Sequence, residues 1–111
     1  MNLADGRMSL TNNKNAKFAQ AMRALSQADF PGAMDLLGEV VVEDSSNAEA
    51  WVQLGACYLE TRQLDLALEA LARAVHAAPK HATAHYLLGT AWGSSGSLER
   101  ARDSYRRALE I

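Results

Sequence analysis

His81 and His85 stand four residues apart, and on a helix that spacing puts two imidazoles on one face, where they could share a zinc or nickel ion. His76 lies one turn before the loop that precedes them. No cysteine or carboxylate completes a convincing ligand set, so the residues predict no metal site. Cys57, between Ala56 and Tyr58, has no base and orienting acid assignable to it, and is read as a small packing residue rather than a nucleophile. The turn Gly93–Ser94–Ser95–Gly96 lacks the following lysine and the preceding strand that a phosphate-cradling loop requires. Arg100, Arg102, Arg106 and Arg107 make the last segment locally basic, but Glu99, Asp103 and Glu110 interrupt the field, which reads as a solvated outer face. The expectation is a chain that is not an enzyme and takes no cofactor and no metal.

The 111 residues, 49% apolar and 22% charged, allow one compact unit, and a net charge of -2 lacks the basic field that nucleic-acid binding needs. The single cysteine excludes an internal disulfide framework. Residues 1–13 have neither the apolar core of a signal peptide nor transmembrane length, so a cytoplasmic location with no membrane partner is expected. That segment reads as a flexible N-terminal arm, with a short helix or a docked segment as the alternatives.

A period of 34 residues organises the rest. Ala48, Ala50, Leu54, Gly55, Leu64, Ala67, Arg73 and Ala74 recur as Ala82, Ala84, Leu88, Gly89, Leu98, Ala101, Arg107 and Ala108. A weaker first copy holds the same frame, with Ala33, Leu37 and Val40 under Ala67, Leu71 and Ala74. Each copy reads as two helices, near 14–27 and 30–44, 48–61 and 64–77, 82–95 and 98–111. Their apolar residues recur at helical spacing, as in Trp51, Leu54, Gly55, Tyr58 and Leu59, and do not alternate as in a strand.

The punctuation agrees. Asp29 is placed to cap a helix opening Phe30–Pro31, Ser46 with Glu49 has the form of a capping box, and Ser97 precedes Leu98 as a further cap. Pro79 follows a helix end, and Gly96 permits a tight turn. Glycine inside a helix costs roughly 0.5–1 kcal/mol relative to alanine. Gly55 and Gly89 therefore predict close approach of a partner helix, brought near by Ala67 and Ala101.

These residues resemble the tetratricopeptide repeat family. Trp51, Leu54, Gly55, Tyr58, Ala67, Leu71, Ala74 and Pro79 follow its signature at its spacing, and His85, Leu88, Gly89, Trp92, Ala101, Tyr105 and Ala108 follow it in the last copy. The resemblance implies an all-α, right-handed α-solenoid of three helix-turn-helix repeats, at 14–47, 48–81 and 82–111. It also implies that the first helix of each repeat lines a concave groove for a peptide or helix of a partner. On the first stripe this places Asn15, Phe18, Met22, Leu25 and Ser26, on the second Glu49, Val52, Ala56, Leu59 and Glu60, and on the third Thr83, Tyr86, Thr90, Gly93 and Ser94. Phe18 and Val52 have a second reading, as seals between neighbouring repeats. A family subtype grips a chaperone tail through basic groove positions, but Phe18, Thr83 and Leu87 stand where those cations belong. Leu98, Tyr105 and Leu109 would remain on an uncovered final helix, a candidate oligomer edge.

The expected function is a non-catalytic protein-interaction scaffold. Two alternatives stand beside it, a self-assembling module joined as a homo-oligomer through its last repeat, and the targeting domain of a larger enzyme.

Overall fold

The computed structural model describes residues 16–111; the arm at 1–13 and the candidate groove residue Asn15 lie outside the described residues. Among the described residues six helices follow one another, α1 at 16–26, α2 at Phe30–Glu43, α3 at Ala48–Glu60, α4 at Leu64–Ala77, α5 at Ala82–Ser94 and α6 at Leu98–Glu110. No strand occurs among the described residues. Each expected helix from α2 onward is present, with its end at or one residue short of the expected position.

Consecutive helices pack as antiparallel neighbours, and α3 also touches α5 directly. The first helices of the second and third pairs thus meet directly on one side of the stack. Three apolar clusters run through the stack. Ala21, Leu37 and Leu54 centre the cluster of α1, α2 and α3, with Phe18 and Met22 packed on it. Val52, Ala74 and Ala84 join α3 and α4 to α5, and Ala67, Leu71 and Ala91 extend that junction. Each unit buries its apolar face on the next, as stacked repeats must.

The turn inside each pair shows the period in the backbone itself. Ala28, Arg62 and Gly96, each 34 residues from the next, take left-handed conformations with φ of 59°, 62° and 90°. Beyond them Asp29, Gln63 and Ser97 donate their amides to the carbonyls of Ala24, Tyr58 and Trp92 at 2.8, 2.8 and 2.9 Å. These are the six-to-one bonds of a left-handed helix stop, made three times.

Of the expected caps, one stands, one is corrected and one is refined. Asp29 accepts from the amide of Gly32 at 3.0 Å, as its position suggests. Ser46 is not the cap of α3: its hydroxyl donates to Asp44 at 2.6 Å, and Asn47 instead accepts the amide of Ala50 at 3.0 Å. Asn47 is the residue immediately outside the helix, so its short side chain reaches back to the first turn, and the carboxylate of Glu49 is released for other partners. Ser97 occupies the cap position of α6 without a side-chain cap bond. Both glycines sit at close approaches, Gly55 under Leu71 rather than Ala67: a Cβ there would meet Leu71 Cγ at 2.5 Å. A Cβ on Gly89 would meet the Tyr105 ring at 2.8 Å and the Ala101 carbonyl at 3.1 Å.

Candidate functional site

The surface between α3 and α5 holds a hollow of about 460 Å³. Leu59 and Leu87 belong partly to the repeat junction and partly to its wall. Ala56 deepens it, because a larger residue would fill the gap between the two helices. Tyr86 stands at its edge, 56% exposed, while Thr90 and Ser94 follow at successive turns of α5 and supply hydroxyls. Glu60 and Arg62 bring opposite charges to the far rim.

Tyr86 is held in place from α6. Its ring lies 5.5 Å from that of Tyr105, tilted at 49°, and the Tyr105 hydroxyl is 3.1 Å from that of Thr90. Thr90 also lies 3.2 Å from the Tyr86 carbonyl, to which its hydroxyl donates. Tyr105, expected at an oligomer edge, therefore splits from the other two edge residues. It covers Gly89, where the absence of a side chain admits its ring, and supports the hollow. Leu98 and Leu109 remain 73% and 88% exposed.

The expected groove residues do not form one continuous strip. Ala56, Leu59, Glu60, Tyr86, Thr90 and Ser94 come together in the hollow. Val52 does not belong to a surface at all: it is 1% exposed and packs with Ala74 and Ala84, so it seals the junction of α3 with α4 and α5. Phe18 and Met22 are half-buried against the first cluster, and Ser26 turns its hydroxyl back to the Arg23 carbonyl at 2.7 Å. Thr83 is exposed at the start of α5, away from the hollow. Glu49 is engaged in a link between repeats. Its carboxylate accepts from His81 Nε2 at 3.0 Å and from Gln53 at 3.0 Å. The His81 hydrogen bond, with that of Gln53 second, holds Glu49 below the ordinary carboxylate range. Arg62 went unread in the sequence because it sits in a turn; its one signal is the 34-residue offset from Gly96.

The residues with chemical potential are otherwise occupied. His81 Nδ1 accepts the amide of Ala84 at 3.2 Å and so caps α5, the role Asn47 plays for α3. His85 Nε2 lies 2.7 Å from the Pro79 carbonyl, which can only accept. The two rings thus engage different partners. Among the described residues no group of three or more histidine, cysteine or acidic side chains is placed to hold a metal ion. Cys57 is 1% exposed, and burial, with the charge of Glu60 adding, pushes its thiol up to about 11. Arg100 lies over the Trp92 ring, 4.7 Å from its centroid. No helix among the described residues is long and apolar enough to cross a membrane.

Known structures share this architecture. The chain superimposes on MamA with a TM-score of 0.83 at 23% identity, covering 87% of this chain and 57% of that one. The second tetratricopeptide repeat domain of Spaghetti, bound to an HSP90 peptide, gives 0.86 at 17% identity over 93% and 98% of the two chains. An O-GlcNAc transferase mutant of Thermobaculum terrenum gives 0.85 at 31% identity over 90% of this chain and 19% of that one. The chain therefore spans little more than half of MamA and a fifth of the transferase. Family models described as tetratricopeptide repeat match residues 24–91 and 82–111. With the period, the stacked helix pairs and these matches in agreement, the chain belongs to the tetratricopeptide repeat family.

Proposed function

We propose that this chain is a non-catalytic scaffold that holds a peptide or helix of a partner protein on its inner surface, centred on the hollow between α3 and α5. The observation that carries this reading is the composition of that hollow: an apolar floor from Leu59 and Leu87, an exposed Tyr86, and hydroxyls at Thr90 and Ser94. An apolar side chain of the partner fills the floor. The hydroxyls satisfy its neighbouring backbone groups, which would otherwise lose their bonds to water. Because Tyr86 is already braced by Tyr105, little ordering remains to be done when the partner arrives.

The similarity to Spaghetti supports peptide binding as the mode, since that domain is bound to the peptide SRMEEVD. It does not support the same ligand. Phe18, Thr83 and Leu87 stand where cations would be needed for an acidic tail, and the rim carries Glu60 opposite Arg62. A peptide with an apolar anchor and no net acidic demand is the class that fits.

A displayed random-peptide library selected on the folded chain tests this. Selected peptides are expected to share one large apolar residue and to bind Tyr86→Ala at least tenfold more weakly in fluorescence polarisation. Peptides that bind Tyr86→Ala, Leu59→Ser and the parent chain equally would remove the hollow from consideration.

A further inference from the structure

Gly38 lies in the middle of α2, where glycine weakens a helix relative to alanine. Gly55 and Gly89 have a reason to be glycine, namely Leu71 and Tyr105 pressed against them. Gly38 has none among the described residues: beyond its own helix backbone, a Cβ built there meets no atom within 4 Å. Beside it Val42 is 85% exposed, and Met34 is half-buried on the same row, one turn to either side. A smooth apolar row therefore runs along the outer face of α2 at Met34, Gly38 and Val42, with a broad open cleft above it.

A second row on that face is acidic, at Asp35, Glu39 and Glu43, again one turn apart. Lys17 pairs with Glu43 at 2.6 Å and more loosely with Glu39 at 3.6 Å. Asp35 has no ion pair among the described residues. The face is thus apolar on one flank and net acidic on the other.

Helix α6 carries the complementary pattern. Leu98 and Leu109 form an exposed apolar row, and Arg102 and Arg106 flank it one turn apart, with no ion pair among the described residues. In both helices the charged row follows the apolar row in the same rotational sense. Two such faces match apolar to apolar and arginine to carboxylate only when the helices cross antiparallel. In that crossing Arg106 meets Asp35 and Arg102 meets Glu39, while Gly38 lets the two backbones approach. Stacking the second copy end to end on α6 in the manner of α5 on α4 is disfavoured. The 34-residue frame would then set Arg23, the counterpart of Ala91, beside Ala101, Tyr105 and the already basic flank.

We propose that the outer face of α2 docks the α6 of a second copy of this chain, antiparallel, through Met34–Gly38–Val42 and the Asp35–Glu39 row. The contact is heterologous, one face from each copy, so it extends into open chains rather than closing as a symmetric dimer. It does not depend on the groove reading, because neither Val42 nor Leu109 lines the hollow.

Sedimentation equilibrium on the full chain tests it. The parent chain is expected to rise above its 12.0 kDa monomer mass with concentration, without a plateau at the dimer. It should fall back in about 1 M salt, where screening acts within about 3 Å. Val42→Asp and Leu109→Asp change solvent-exposed side chains, so both variants remain folded, a point checked by circular dichroism. Each alone should stay monomeric at concentrations where the parent associates, and their equimolar mixture should form a dimer and stop there. Three results would overturn the proposal: a parent chain monomeric up to about 1 mM, either variant alone associating like the parent, or a mixture that stays monomeric.

Discussion

Trp51 and His85 make the same hydrogen bond one repeat apart. The indole Nε1 of Trp51 donates to the carbonyl of Ser45 at 2.8 Å, and Nε2 of His85 donates to that of Pro79 at 2.7 Å. In both cases the ring at the start of a first helix reaches back six residues and ties down the loop that leads into it. Histidine thus replaces tryptophan because it keeps the one polar function of the indole, a ring N–H at the right reach. His85→Ala would leave the Pro79 carbonyl without its partner and open space at a position only 6% exposed. The expected loss is about 2–3 kcal/mol. Urea denaturation should show it as a lower midpoint, with His85→Gln losing less because its amide can donate to the same carbonyl.

Gly55 and Gly38 should respond to alanine with opposite signs. Both substitutions gain helix propensity, about 0.5–1 kcal/mol. At Gly38 nothing within the described residues opposes that gain, so Gly38→Ala should raise the urea midpoint. At Gly55 the new methyl would lie 2.5 Å from Cγ of Leu71, which is fully buried. Overpacking of this kind costs typically 1–3 kcal/mol, and Gly55→Ala should therefore destabilise on balance. A double-mutant cycle with Leu71→Ala should recover part of that loss; strictly additive effects would remove Leu71 as the cause.

The helical hairpins were legible because the contacts that stack them fall on residues the period repeats, such as Ala67 with Ala101 and Gly55 with Gly89. The hollow was legible in part. Glu60 on α3 and Tyr86 and Thr90 on α5 were recoverable from one face of each helix, but Val52 was not separable from them, since a helical wheel gives direction and not the depth at which the next repeat closes over it. Arg62 was invisible because turn residues have no face. Asn47 lost to Ser46 for a related reason: a capping-box pattern fixes spacing, whereas the cap is decided by which residue the backbone leaves first.

The left-handed turns give a third test. Ala28 and Arg62 hold φ values of 59° and 62°, where a side chain costs roughly 1–2 kcal/mol relative to glycine. Gly96, their counterpart, has φ 90° and is free of that cost. Ala28→Gly should stabilise the fold by up to about 1 kcal/mol, after the greater entropy of glycine in the unfolded chain is subtracted. Gly96→Ala should destabilise by about 1 kcal/mol or more. Unchanged denaturant slopes would show that both act on the native turn.

Acid should weaken the link between the second and third repeats. Glu49 is held below the usual carboxylate range by the His81 hydrogen bond and then by Gln53. A carboxylate depressed in the folded state contributes stability above its unfolded pKa of about 4.3, and that contribution is lost as pH falls through the folded value. Glu49 is half exposed, so the contribution is under about 1 kcal/mol. Glu49→Gln should be less stable than the parent at neutral pH, and the difference should shrink as pH falls through the folded value. A difference that persists unchanged into strong acid would mean that the carboxylate charge is not its source.

Cys57 should behave as a wall of the core and not as a reactive thiol. Burial, and secondarily the charge of Glu60, raises its pKa to about 11, and its side chain is 1% exposed. At pH 8 an ordinary cysteine, with a pKa of about 8.5, is substantially thiolate. Cys57 in the folded chain is almost wholly protonated and also shielded from reagent. Labelling by a disulfide reagent should therefore be at least a hundredfold slower in the native state than in urea. Because the folded pKa is raised, the stability this thiol supports is present below its unfolded pKa and declines as pH rises above it toward 11. Cys57→Ser keeps the volume but brings a hydroxyl into the cluster of Ala50 and Leu54. It should cost stability at neutral pH and flatten the alkaline decline. Rapid native labelling at pH 8 would show instead that α3 opens locally, and that the packing of Cys57 against its neighbours is far weaker than its burial indicates.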